Sequence, residues 1–153
     1  MGSRRKARES AMAVLYQADL RPGEDPAALL EDHFAHAGSE NQGDRAFIET
    51  LVYGVLRDMK EIDGMLGAAL DNWTVERLGC VERAILRLGV FELLRQPATP
   101  PKVAVDEAVS LAKTYAQEES ASLVNGVLDR IMNERRPQPP APGMRPGALG
   151  GVE

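Results

Sequence analysis

Apolar residues recur at three- and four-residue spacing along most of the chain, which is the period of an amphipathic α-helix. The first stripe predicts a helix over residues 4–20, and Arg21-Pro22-Gly23 ends it. Asp25 and Pro26 suit the N-cap and first position of a short second helix. No stretch alternates with the two-residue period of a half-buried strand, so the pattern predicts an all-α fold.

The middle of the chain predicts one long helical segment and a turn. Asp44 is a candidate N-cap, and apolar residues keep helical spacing over residues 47–66. Gly64 and Gly67 are the expected points where this segment bends or ends. In the turn at residues 71–74, Trp73 is expected to fill the interface between two halves of the bundle.

The second half of the chain predicts three further helices. The stripe over residues 81–94 is nearly apolar all round, which predicts a buried central helix. Prolines at residues 97–101 break the chain before a sixth stripe over residues 104–115. Ser120 is the expected N-cap of the last helix, and Gly126 inside that helix predicts a close approach to a neighbouring helix.

Composition sets the domain organisation. The 153 residues suit one domain or two small packed subdomains, and 44% apolar with 5% aromatic content predicts an aliphatic core. From Arg135 onward proline and glycine dominate. We therefore predict a helical domain over residues 1–134 and a disordered tail over residues 135–153.

The start of the chain carries a basic cluster on an acidic protein of net charge −5. Arg4, Arg5, Lys6 and Arg8 lie in the first turns of a helix, where the helix dipole is already positive. An incoming anion makes this arrangement favourable, and a phosphate backbone is the obvious anion. Tyr16, two turns beyond Arg8, is a candidate for stacking on an unpaired base. The alternatives are a solvated basic tail and a core tyrosine.

The sequence contains no catalytic constellation. His33 and His36 make half a metal site, and no second cluster completes it, so no metal or cofactor is expected. Cys80 is the only cysteine, which excludes an internal disulfide and favours a reducing, cytoplasmic compartment. No run is long enough to span a membrane. Glu82 and Arg87 interrupt the apolar central helix, either as a polar rim for a partner or as an ordinary exposed edge.

Five stretches occur in order over residues 4 to about 132 and together resemble one family. They are residues 4–17 (RRKARESAMAVLYQ), 73–78 (WTVERL), 81–93 (VERAILRLGVFEL), 102–113 (KVAVDEAVSLAK) and 123–129 (LVNGVLD). Each is modest alone, but the set is similar to the NusB transcription antitermination factors.

The resemblance implies a bundle of about seven helices in two packed subdomains and a protein that is not an enzyme. It implies binding of the boxA element of nascent ribosomal RNA, a single strand, together with NusE, a small-subunit ribosomal protein. It also implies action on the transcribing RNA polymerase against premature termination. The implied RNA-binding residues are Arg4, Arg5, Lys6, Arg8 and Tyr16, and the implied partner-binding residues are Glu82, Arg87 and Glu119.

The chain departs from the family pattern at three positions. Leu123 replaces the usual Phe before Val-Asn-Gly, so any aromatic contact made by that residue is lost. Asp106 stands where Asn is common, and Glu119 where Asp is common. Two other functions remain open: the NusB-like domain of a ribosomal RNA cytosine methyltransferase, and a helical adaptor that binds protein and no RNA.

Overall fold

Seven α-helices form the part of the chain that the computed structural model describes, which is residues 2–36, 44–71 and 73–135. These ranges contain no β-strand, so the predicted all-α fold and the number of helices are confirmed. Residues 136–153 of the predicted tail lie outside the described ranges. The helices are α1 (Gly2–Leu20), α2 (Pro26–His36), α3 (Arg45–Arg57), α4 (Met59–Ala69), α5 (Cys80–Arg95), α6 (Pro101–Tyr115) and α7 (Glu118–Arg135), with a short 3₁₀ helix at Val75–Arg77.

Helix α5 is the centre of the bundle, as its apolar pattern predicts. It packs against α1, α3, α4, α6 and α7. Ile85, Leu86 and Val90 are fully buried there. Among the remaining helices, α1 packs with α2 and α3, while α7 packs with α4 and α6, so α5 joins two groups of helices.

Two glycines allow helices to approach closely, and neither is the one predicted. A Cβ atom on Gly54 of α3 would collide with the ring of Phe91. A Cβ atom on Gly89 of α5 would lie 2.5 Å from Leu128 Cδ1. Gly126 is exposed and has no neighbouring atom near its missing Cβ, so the prediction of a close approach there is wrong. The close approach to α7 comes from the glycine on the central helix instead.

The predicted long third segment is two helices that meet at Asp58. The backbone of Asp58 leaves the helical region, with φ −99° and ψ 16°, so α3 ends before it and α4 begins after it. Its carboxylate accepts hydrogen bonds from Arg57 and Arg95, which lower the pKa of Asp58 to about 2. Gly64 and Gly67 lie inside α4 on its exposed face, so the prediction of a bend or end at these glycines is wrong.

The predicted caps are confirmed at two helices and wrong at a third. Asp25 accepts a hydrogen bond from the Ala27 N–H at 3.3 Å, and Asp44 accepts one from the Phe47 N–H at 3.2 Å. Ser120 lies inside the first turn of α7 rather than before it. Its buried hydroxyl donates to another helix, so it acts between helices and not as a cap.

Trp73 lies on the surface instead of between the two groups of helices. Its side chain is 52% exposed. It lines a surface cavity between α4 and α7, together with Leu70, Leu123 and Arg130. The prediction of an interface plug is therefore wrong, because the aliphatic side chains of α5 already fill that interface. Within the described ranges, no helix is both long enough and apolar enough to cross a membrane.

Candidate nucleic-acid interface

The first cation of α1 rests on an aromatic ring from α3. The guanidinium carbon of Arg4 lies 3.8 Å from the ring centroid of Phe47, and that of Arg8 lies 5.6 Å from the same centroid. Phe47 is buried and Arg4 is exposed. Such a cation–π contact fixes one face of the guanidinium while its N–H edge stays available for acceptors.

The second cation pairs with a carboxylate on α6. Arg5 Nε and Nη2 donate to the two oxygens of Glu107 at 3.2 and 2.9 Å. The Arg5 side chain is 58% exposed, whereas that of Glu107 is 18% exposed. The hydrogen bonds and charge of Glu107 raise the pKa of Arg5. This is a two-pronged ion pair at the surface of the bundle.

Arg8 makes a similar pair in the interior. Its Nε and Nη2 atoms each donate to a Glu92 oxygen at 2.8 Å. Arg8 is 6% exposed and Glu92 is 2% exposed. Burial opposes the charged form, but the hydrogen bonds and charge of Glu92 outweigh it, so the pKa of Arg8 is raised. Burial leaves Arg8 little surface for direct contact with RNA, which separates it from the other predicted RNA anchors.

The cations border an open groove at one end of the bundle. The groove has a volume of about 580 Å³ and runs between α1, the loop before α6, and α6. Its lining residues are Arg4, Arg5, Arg8, Ala98, Thr99, Pro100, Val103 and Glu107. Lys6 lies half-buried on the same turns of α1. A groove lined by three cations and one acid suits an extended polyanion rather than an enclosed small substrate.

Tyr16 lies away from this groove. It lines another surface cavity, of about 460 Å³, beside His33 and His36 of α2. The structure therefore does not bring Tyr16 together with the cations. Burial lowers the pKa of His33 despite the opposing charge of Asp32, and His33 Nε2 is buried without a hydrogen-bond partner. The described residues contain no group of three potential metal ligands.

Glu82 ties two helix starts together. One carboxylate oxygen accepts the Gly79 N–H at 3.2 Å, which satisfies a free donor before α5. The other oxygen accepts the hydroxyl of Ser120 in the first turn of α7. Glu119, beside Ser120, is exposed. Glu82 thus has a structural role in holding α7 against α5, while Glu119 faces solvent.

Arg87 belongs to a second ion-pair network, at the far end of α1. Its Nε and Nη2 atoms donate to Asp63 of α4 at 2.8 Å, and its Nη1 lies 3.6 Å from Asp19 Oδ1. Arg83 donates to Asp19 at 3.0 and 2.7 Å and also to the carbonyls of Val75 and Leu78. Burial would raise the pKa of Asp19, but Arg83 and Arg87 outweigh it and lower the pKa.

Comparison of the sequence and fold with known proteins identifies the family of this chain. Residues 5–133 match the NusB family. The chain belongs to the NusB family. The transcription antitermination protein NusB of Saccharopolyspora erythraea is 46% identical over 133 residues, which cover 86% of this chain and 87% of that protein. The NusB of Sorangium cellulosum is 40% identical over 131 residues, covering 86% and 92% respectively.

Solved NusB structures share the fold. A T. maritima NusB structure superposes with a TM-score of 0.78 at 32% identity, covering 88% of this chain and 93% of that one. A chain in a crystal structure of the antitermination factors NusB and NusE with double-stranded RNA gives a TM-score of 0.76 at 35% identity. The match covers 88% of this chain and 98% of the other.

The positions that depart from the NusB family pattern lie on the surface or near it. Leu123 is half-buried and borders the cavity that contains Trp73. Asp106 is exposed and forms an ion pair with Lys102 one turn earlier on α6, at 3.2 Å. None of these positions is a partner of the basic start in the described contacts.

Sequence reasoning missed the acidic partners of the NusB-like basic start. It looked for an external anion, whereas α5 and α6 supply Glu92 and Glu107. A signal for one pair was present, because Arg8 is three residues before Ala11 and therefore lies on the apolar stripe of α1. Glu92 lies between Phe91 and Leu93 in the most apolar helix. A cation and an acid on buried stripes indicate a buried pair, although not which helices meet.

Proposed function

We propose that this chain is a transcription antitermination factor that binds the boxA element of nascent ribosomal RNA together with NusE. In this role it acts on the transcribing RNA polymerase in the cytoplasm against premature termination, without catalysing a reaction. One observation carries the proposal. A chain of this family places the exposed Arg4 and Arg5 beside an open groove at the start of α1, where a polyanion has access.

The geometry supports distinct roles for the cations. Arg4, held over Phe47, presents its N–H edge to a phosphate or to a base. Arg5 has a two-pronged donor set at the surface, a geometry that suits a phosphate group. Lys6 adds a third charge on the same turns. Arg8 contributes by fixing the first turns of α1 onto α5 through Glu92, so that the other cations are displayed in one place.

The partner surface is proposed to lie along the rest of the bundle. Tyr16 is partly exposed on α1, and Glu119 is exposed at the start of α7. Glu82 and Arg87 lie near these helices, but they bind residues within the bundle. Glu82 accepts a hydrogen bond from Ser120, and Arg87 pairs with Asp63. We therefore propose that Tyr16 contacts RNA beyond the groove and that Glu119 contacts NusE, while Glu82 and Arg87 place the helices that carry these two residues. The NusB–NusE–RNA complex named above supports a surface for both ligands on this fold.

The test replaces Arg4, Arg5 and Lys6 by Ala and measures binding to a single-stranded boxA RNA, with and without NusE. Three phosphate contacts on a single strand give a slope of about −2.1 in log K against log salt. The wild-type affinity should then fall about 20-fold between 50 and 200 mM salt, whereas the triple variant should lose most of that slope and bind more weakly at 50 mM salt.

The matched control replaces three exposed cations elsewhere, Arg21, Lys60 and Arg77, and removes the same total charge. It should retain most of the slope and affinity. Circular dichroism confirms that both variants are folded. Equal affinity and slope in the wild-type chain and the first variant would defeat the proposal, as would equal losses in both variants.

A further inference from the structure

Glu107 occupies the donor edge that Arg5 would offer to RNA. One edge of the Arg5 guanidinium, formed by Nε and Nη2, donates to the Glu107 oxygens at 3.2 and 2.9 Å. Arg8 Nη1 lies 3.9 Å from the same carboxylate. Carboxylate and phosphate bind an arginine through the same pair of parallel hydrogen bonds. Arg5 cannot make both bidentate pairs at once through the same edge.

The pair that would have to open is the exposed one. Arg5 is mostly solvent-accessible, and exposed ion pairs contribute little net stability, so a stronger acceptor can displace one. The Arg8–Glu92 pair is different, because both groups are buried. If this pair opened, two charges would lie in the interior without hydration, which is strongly unfavourable. The two arginines of the groove that pair with carboxylates are therefore unequal, and only Arg5 is able to exchange its carboxylate for a phosphate.

We propose that Glu107 is a built-in competitor of RNA phosphate that holds Arg5 in place in the free protein and is displaced when RNA binds. The proposal rests on the RNA-binding function proposed above. Glu107 fixes the orientation of Arg5 before binding, and it lowers RNA affinity because its oxygens occupy the Arg5 donors that a phosphate would take. Glu107 is thus a residue that sets the strength and salt dependence of binding.

The test compares Glu107→Gln with Asp106→Asn. Both changes remove one negative charge from neighbouring positions of α6, but Asp106 pairs with Lys102 and does not line the groove. Glu107→Gln should bind single-stranded boxA RNA about 2- to 5-fold more tightly, the factor that an exposed ion pair represents. Its salt slope should steepen by up to about 0.7, because one more arginine contributes fully. Asp106→Asn should change affinity by clearly less.

A double variant attributes the effect to Arg5. In an Arg5→Ala background, Glu107→Gln should no longer tighten binding. The proposal is wrong if Glu107→Gln tightens binding equally in the Arg5→Ala background, or if Asp106→Asn gives the same gain. Either result would mean that the loss of one negative charge near the groove is enough to tighten binding. Unchanged or weaker binding by folded Glu107→Gln also overturns it. If the Gln variant unfolds, Glu107→Asp, which withdraws the carboxylate by one methylene, must still tighten binding.

These outcomes are distinct from a failure of RNA binding itself. If the wild-type chain and the Arg4, Arg5 and Lys6 triple variant bind RNA equally, the proposed function fails, and the competitor role falls with it. If the triple variant is impaired while Glu107→Gln matches the wild type, RNA binding stands and only the role of Glu107 is overturned.

Discussion

The two ends of α1 are held by ion pairs of opposite polarity. At its start, α1 supplies the cations Arg5 and Arg8, and other helices supply the carboxylates. At its end, α1 supplies the carboxylate of Asp19, and α5 supplies Arg83 and Arg87. A reversed helix would bring like charges together at both ends. The polarity of the pairs therefore favours the antiparallel arrangement of α1 and α5 over the parallel one.

The ends differ in how far they are closed. The four charged groups of the Asp19 network, Asp19, Asp63, Arg83 and Arg87, are largely covered. Arg83 also holds the 3₁₀ helix through the Val75 and Leu78 carbonyls. At the other end, Arg5 stays exposed beside an open groove. Arginine–carboxylate pairs thus act as a clamp at the end of α1, where both partners are covered. At the start of α1, where Arg5 is exposed, such a pair forms part of a ligand-binding surface.

The largest expected effect comes from breaking the buried pair at the basic end. Glu92→Leu leaves Arg8 charged and buried without its hydrogen-bonded partner, which should cost about 3–5 kcal/mol of unfolding free energy. The double variant Arg8→Met with Glu92→Leu should recover most of this loss. Glu107→Gln, which removes the exposed pair with Arg5 and the longer 3.9 Å contact with Arg8, should cost clearly less. Urea denaturation measures all three, and similar losses for the two single variants would contradict the distinction.

A smaller effect is expected at the acidic end. Asp19→Asn should cost about 1–3 kcal/mol at neutral pH, because Arg83 and Arg87 lose their shared acceptor charge. Since the folded-state pKa of Asp19 lies below 3.8, its pairs stabilise the protein above pH 3.8 and lose that contribution as the pH falls through the lowered pKa.

Denaturation of this variant across the acid range checks the assignment. The Asn variant should show a flatter fall in stability below pH 3.8 than the wild type. Asp106→Asn, an exposed acid on α6, is the control and should follow the wild-type curve. If stability falls below pH 3.8 in Asp19→Asn as steeply as in the wild type, Asp19 does not contribute to the clamp.

The smallest effect is expected from the proline- and glycine-rich segment. Truncation after Arg135 should change the unfolding free energy by less than about 0.5 kcal/mol and leave RNA affinity unaltered, because that segment has few apolar residues to pack. Both ends of α1 keep all their partners in this variant. Thermal unfolding and RNA titration measure the result. A clear drop in melting temperature or in RNA affinity would mean that the segment contributes to stability or to binding.

The fold was largely predictable because its strongest signal is periodic. The stripe of α5 predicted a buried central helix, and Asp25 and Asp44 predicted helix starts. The errors occur where tertiary contacts override local signals. Asp58 separates two helices, and its carboxylate binds Arg57 and the distant Arg95. Gly64 and Gly67 stay helical since the flanking apolar residues of α4 pack on the core.

The candidate site was predictable only in part. The basic start is visible in the residues themselves, but its division into a buried arginine and exposed cations depends on carboxylates that are distant in the chain. Arg5 and Glu107 are 102 residues apart, and no local pattern connects them. Tyr16 is a case in which a local pattern misleads. Its helical spacing from Arg8 suggested that the two residues share one side of α1, yet Tyr16 lines a separate cavity between α1 and α2.

The sequence distance between these partners also sets an order in time. During synthesis the cations of α1 are made first, and the carboxylate of Glu107 is made 102 residues later. At about 5–20 residues per second the interval is about 5–20 s. Throughout that interval the nascent α1 carries Arg5 without the acid that neutralises it in the finished bundle. The Arg5–Glu107 pair therefore forms only after synthesis has reached α6, whereas the Arg8–Glu92 pair needs only α5.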